Sequence, residues 1–246
     1  MAETIGPTKS SNLELDEQVY SILSGRQKRI FALFILVCSV WSTLSASIYF
    51  PALPIISNKF LVSSSITNLS VVAFLVFQGI GPTVVAPFAD LFGRRPLLLT
   101  SLISYVAVNV AISQTNVFWL LVVLRSLQSF TIAPLIAISA GTVGDICPPS
   151  ERGGYVSLIT GVQLVGQAFG ALVGAGLVAR WGWRGPFVFL AIGAGSVFIV
   201  AIFTYPETHR LYVGNMSVRA KNLVHRAPLL ELPAFKKHLN EDRSTL

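Results

Sequence analysis

The chain has 246 residues, of which 53% are hydrophobic and only 12% charged. A soluble domain carries roughly 25% charged residues, so this composition excludes an ordinary soluble enzyme, a nucleic-acid module and a disordered chain. The net charge of +7 does not bring back nucleic acid as a partner, because the positions of the basic residues explain it. The fold class read from these figures is an all-α, polytopic membrane protein whose first partner is the lipid bilayer.

One helical crossing of a bilayer needs about 20 consecutive, mostly apolar residues. Six such segments are predicted in chain order, at 30–50, 66–88, 96–113, 117–140, 157–179 and 186–205. A polar tail, 1–29, precedes them and a second tail, 206–246, follows. The basic residues alternate with the loops. With the N-terminus inside, the inner segments hold fourteen Lys and Arg and the outer ones only Lys59, Arg180 and Arg184. Basic residues mark the cytoplasmic side, so both tails are expected there, and the positive charge reads as topology. Cys38 falls within an apolar run and Cys147 in a loop beside Pro148 and Pro149. They form no disulfide framework and no metal site, and no cofactor is expected.

The fourth segment carries the one charge inside the six, Arg125. It lies about 12 Å into its span at 1.5 Å per residue, and intramembrane charges mark functional sites by default. Arg125 is therefore a candidate for binding substrate or for coupling, with Gln128 one turn on and on the same face. The alternative is an arginine tied structurally to its neighbours. Gln78 and Gln163, with Tyr49, are candidates for the lining of a polar cavity or for interhelical hydrogen bonding. Gly166, Gly170 and Gly174 form overlapping small-xxx-small steps, which fit close helix packing. No Asp or Glu lies inside any of the six spans. A titratable coupling group would therefore be Asp90 or Asp145 at the rim, or lie outside this chain. There is no His in a span for an intramembrane protease, no basic ladder for a voltage sensor and no Gly-x-x-x-x-Gly-Lys phosphate loop.

After the second segment the chain reads Ala89-Asp90-Leu91-Phe92-Gly93-Arg94-Arg95-Pro96. This resembles the loop signature of the major facilitator superfamily, Gly-x-x-x-Asp-(Arg/Lys)-x-Gly-Arg-(Arg/Lys), with Ala86 and Leu91 as departures. Arg125-Ser126-Leu127-Gln128-Ser129, Asp145 through Glu151-Arg152-Gly153, and Gly166-Gln167-Ala168-Phe169-Gly170-Ala171 resemble later motifs in the same order. Tyr49-Phe50-Pro51-Ala52-Leu53-Pro54, Gly182-Trp183-Arg184 and Pro206-Glu207-Thr208-His209-Arg210 resemble fungal drug:proton antiporters of the quinidine-resistance type. The resemblance implies a six-helix N-terminal half built of two three-helix inverted repeats. It implies transport of small organic compounds by alternating access, in the plasma membrane, with no enzymatic activity. It also implies a conformational latch of Asp90, Gly93, Arg94, Arg95, Asp145, Arg152 and Glu207. The missing half would come from a separate chain or by homodimerisation. The competing expectation is a truncated fragment, or an interacting half without transport of its own.

Overall fold

Backbone exposed to lipid has no water to bond, so a crossing segment must satisfy its own N–H and C=O groups as a helix. The computed structural model describes residues 25–205, 207 and 208, and the remaining parts of both predicted tails lie outside the described residues. Its helices are α1 (Gly25–Ser47), α2 (Leu53–Phe60), α3 (Ser64–Phe92), α4 (Arg94–Gln114), α5 (Phe118–Ile132), α6 (Pro134–Ile146), α7 (Pro149–Trp181) and α8 (Gly185–Thr204). Short 3-10 turns, Phe50–Ala52 and Gly182–Arg184, join α1 to α2 and α7 to α8. Among the described residues, five uninterrupted segments are long and apolar enough to cross a membrane. The last, Arg152–Thr204, reverses at Gly182 and so contains two crossings, α7 and α8. Among the described residues the crossings therefore number six: α1 with α2, α3, α4, α5 with α6, α7, and α8.

Several boundaries differ from the hydropathy reading, the first crossing running on to Phe60 rather than ending at residue 50, and two of the differences have a direct physical reason. The fourth crossing, read as one segment, is two helices, because Pro134 has no N–H to donate to Phe130 and its ring crowds that carbonyl. Gly81 of α3 packs against the vacated carbonyl; a Cβ there would sit 3.3 Å from Phe130 O. In the fifth crossing, α7 begins at Pro149 rather than at residue 157 and runs for 33 residues. At 1.5 Å per residue it is about 50 Å long, well beyond a hydrocarbon core of about 30 Å. Its first turns carry polar residues and are helical without being apolar.

The packing has an internal symmetry. The most extensive helix pairs are α1 with α7, α3 with α5, and α4 with α8, which are crossings one and five, two and four, and three and six. Exchanging crossings one, two and three for four, five and six maps this set of pairs onto itself. The loops agree: α3 ends at Gly93 (φ 96°, ψ 159°) and α7 ends at Gly182 (φ 68°, ψ −169°), a backbone region nearly restricted to glycine. Each is followed by an arginine that reaches the far helix. Arg95 Nη2 donates to Ile202 O in the last turn of α8 at 2.7 Å. Arg184 Nη2 donates at 3.3 Å to the carbonyl of Thr115, which ends α4, and at 2.8 Å to Asn116 Oδ1. The carbonyls at a helix C-terminus lack intrahelical donors, so each helix of the α4–α8 pair is capped from the start of its partner. This is the arrangement of two three-helix inverted repeats.

Apolar side chains gather in two clusters stacked along the bundle. One contains Ile35, Leu98, Leu102, Tyr105, Leu135, Leu190 and Tyr205. The other contains Tyr49, Ala52, Ile112, Phe118, Leu121, Trp183 and Phe187. On α4 the change from one cluster to the other falls between Tyr105 and Val108, and the buried Asn109 stands at that seam. By contrast α3 turns most of its apolar surface outwards, with only 17% of its most apolar window buried.

Candidate functional site

The seam between the clusters is polar. Arg125 of α5 is 1% exposed there, as are Tyr49 and Phe74, and Gln128 and Asn109 are fully buried. The guanidinium lies over the ring of Tyr49 at 4.1 Å and that of Phe74 at 4.2 Å, with Phe187 at 5.9 Å. Arg125 Nη1 donates to Gln128 Oε1 at 2.6 Å. Gln128 Nε2 donates to Asn109 Oδ1 at 2.6 Å, and Asn109 Nδ2 donates to Tyr105 O at 2.8 Å. The Tyr105 hydroxyl is paired with Ser45 of α1. Ser70 Oγ gives its proton to the Thr67 carbonyl at 2.7 Å, so at 2.8 Å the Tyr49 hydroxyl is the donor to Ser70. Four crossings thus converge on one cation: α1 leading into Tyr49, then α3, α5 and α8.

Magnitudes show why the charge is tolerated without a carboxylate in contact among the described residues. An arginine at a span centre costs about 2.5–3.5 kcal/mol on insertion scales. A desolvated cation–π contact returns about 2 kcal/mol, and a hydrogen bond to a charged group about 1.5–3 kcal/mol. Two ring faces and one amide are enough to offset the cost, although Arg125 Nε remains buried without a partner. The site therefore stores a stable, enclosed positive charge close to the junction of the two repeats.

Of the sequence candidates, the structure brings Tyr49, Arg125 and Gln128 together. Gln78 is half-buried, and Gln163 has a buried Nε2 without a partner; neither bonds to Arg125 or Gln128. Phe74, Phe187, Asn109 and Tyr105 complete the site and were not singled out from the sequence. Of these only Asn109 carried a signal, as the one amide within the third apolar span. The glycines Gly166, Gly170 and Gly174 all face α1 and its continuation. A Cβ at these positions would meet Thr43 and Val40, Ser47, and the backbone of Ile48, respectively.

The rim residues meet at the end of the bundle where α3 turns into α4. Arg94 pairs with Asp90 at 3.2 Å and with Asp145 at 3.1 Å. Glu207 is 2% exposed and does something a list of charges does not suggest. Its Oε1 accepts from Arg94 N at 2.8 Å and its Oε2 from Arg95 N at 3.3 Å. The N-cap residue of α4 is Gly93, which has no side chain to offer. A carboxylate from beyond the end of α8 caps α4 instead, and negative charge at a helix N-terminus is stabilising. Two further glycines escaped the sequence reading. A Cβ at Gly141 or Gly144 of α6 would collide with the guanidinium of Arg94 or of Arg152, so α6 seats both arginines on bare backbone. Among the described residues, no group of three or more His, Cys, Asp or Glu is placed to hold a metal ion.

Six apolar crossings in two exchanged triplets, with a buried cation at the seam and an acid–base network at one end, define a membrane carrier fold. The sequence matches the Major Facilitator Superfamily over residues 35–239. The chain belongs to that superfamily, whose members are transporters rather than enzymes, and it is a multi-pass integral membrane protein. It is 49% identical over 232 residues to the "MFS antiporter QDR2" of Candida albicans, covering 94% of this chain and 46% of that protein. It is 40% identical over 223 residues to "Quinidine resistance protein 1" of Saccharomyces cerevisiae, covering 91% of this chain and 40% of that one. Its fold is similar to that of the proton:xylose symporter XylE, with a TM-score of 0.66 at 17% identity, over 87% of this chain and 54% of the symporter. The chain thus spans less than half the length of these two curated relatives.

Proposed function

We propose that this chain is the N-terminal six-helix half of an exporter of small organic compounds, working by alternating access as a drug:proton antiporter. The observation that carries the proposal is Arg125, a full charge kept at the seam of the repeats by aromatic faces and an amide. An intramembrane charge is costly and is characteristically retained for function. The names of the relatives supply the substrate class, with quinidine as the probe. Arg125 and Gln128 bind substrate or take part in coupling, with Gln78, Gln163 and Tyr49 as secondary lining. The Asp90–Arg94–Asp145 triad, together with Gly93, Arg95, Arg152 and Glu207, latches one conformation. The apolar faces of α3 and α7 receive a second six-helix unit, from a separate chain or a second copy. Both tails lie in the cytoplasm of a plasma-membrane protein, in keeping with the distribution of Lys and Arg.

The test is quinidine accumulation in yeast cells depleted of their own exporters, expressing this chain together with a second six-helix unit of the family. Lower accumulation than in control cells is expected, and Arg125→Ala at equal membrane abundance is expected to abolish the difference. Unchanged export by Arg125→Ala contradicts the assignment.

A further inference from the structure

The polar chain behind Arg125 has a direction, and its direction is set at its far end. The acceptor at that end is the carbonyl of Tyr105, a backbone group that can only accept. Asn109 must therefore present its Nδ2 to that carbonyl, at 2.8 Å, which turns Oδ1 towards α5. There it accepts from Gln128 Nε2 at 2.6 Å, and the Gln128 amide is left with Oε1 facing Arg125 Nη1, also at 2.6 Å. Reversing the Asn109 amide would set its Oδ1 against a carbonyl and its Nδ2 against the Gln128 donor. Both contacts would then be mismatched in a site where Asn109 and Gln128 are fully buried, and an unmet buried polar group costs about 1–3 kcal/mol.

We infer that Asn109 is a positioning residue for Arg125: it fixes the orientation of the Gln128 amide, and the amide holds the guanidinium between Tyr49 and Phe74. Asn109 acts through Gln128 and makes no hydrogen bond to the cation itself. Without Asn109 the buried Gln128 Nε2 loses its acceptor, which costs about 1–3 kcal/mol, and the amide must leave the edge of Arg125 to reach another. The edge contact is then lost, and only the two ring faces retain Arg125. The inference rests on Arg125 as the central residue of the proposed function, but its test does not need transport.

The test is labelling of the purified chain in mild detergent with phenylglyoxal, a neutral reagent for guanidinium groups, followed by peptide mass spectrometry. Arg94 and Arg184 in the same molecule serve as internal references. In the wild type, Arg125 reacts far more slowly than either reference. Asn109→Leu is expected to raise the Arg125 rate at least tenfold and leave the two references unchanged. In a Gln128→Leu background the effect of Asn109→Leu is expected to vanish, because a shared pathway makes the two changes non-additive. If Asn109→Leu does not fold, Asn109→Ser, which is too short to reach both partners, is read in the same way. Protection of Arg125 unchanged by Asn109→Leu or Asn109→Ser, or an undiminished effect of either in the Gln128→Leu background, overturns the inference. Loss of quinidine export with this labelling pattern intact would count against the proposed function alone.

Discussion

Gly174→Ala and Gly161→Ala are the same chemical change on the same helix, and the packing predicts opposite outcomes. Alanine is favoured over glycine inside a helix by about 1 kcal/mol, and this gain is common to both. At Gly161 nothing lies within 4 Å of the new Cβ. At Gly174 the Cβ falls on the carbonyl of Ile48, with Ile48 C at 3.0 Å and Cα at 3.1 Å. That obstacle is backbone and has no rotamer to swing, so α7 must move off by about 1 Å. A gap of 0.5–1 Å already forfeits a quarter to a half of each dispersion contact, here along one of the most extensive helix pairs of the bundle. Overpacking of this kind costs about 1–3 kcal/mol, which therefore becomes the difference between the two variants. At about 2–4 °C per kcal/mol for a chain of this size, Gly174→Ala should melt roughly 2–12 °C below Gly161→Ala. The buried thiols of Cys38 and Cys147 provide the assay, since a thiol-reactive fluorophore labels them only as the bundle opens. Gly170→Ala should fall between the two, because Ser47 Oγ, which its Cβ meets, can rotate away. Equal melting of Gly174→Ala and Gly161→Ala would refute the reasoning.

Two further outcomes follow from the end of the bundle at Gly93. Gly93→Ala forces a side chain into a backbone region nearly reserved for glycine (φ 96°, ψ 159°) and should cost about 1–3 kcal/mol, read in the same thermal assay. Glu207→Gln keeps one acceptor oxygen for the N-terminus of α4 but loses the charge and the second acceptor. It should destabilise by about 1 kcal/mol, and because the carboxylate is buried its gap from the wild type should persist in high salt.

The number of crossings was legible because hydropathy reports the lipid-facing environment directly. Their ends were not, because a helix such as α7 continues past the hydrocarbon as long as its backbone bonds do. The break at Pro134 was open to inference from the missing N–H alone. At the seam, Arg125 and Gln128 stood out as polar residues among apolar ones. Phe74 and Phe187 did not, since nothing in an apolar sequence marks which ring will lie on a cation. Glu207 was legible as a charge in the rim group, but its bonds are to backbone N–H groups more than a hundred residues away, and no spacing encodes that. Gly141 and Gly144 show the same limit. They read as small residues in a span, and only the fold reveals the arginines lying across them.

The most direct test of the account is binding of radiolabelled quinidine to the purified chain reconstituted with a second six-helix unit in lipid nanodiscs. Arg125→Ala would be measured beside the wild type, at matched melting temperature. Saturable binding by the wild type that Arg125→Ala reduces at least tenfold in affinity is the predicted result. Equal affinity in the two proteins would contradict the assignment of Arg125 as the residue around which this half of the carrier is built.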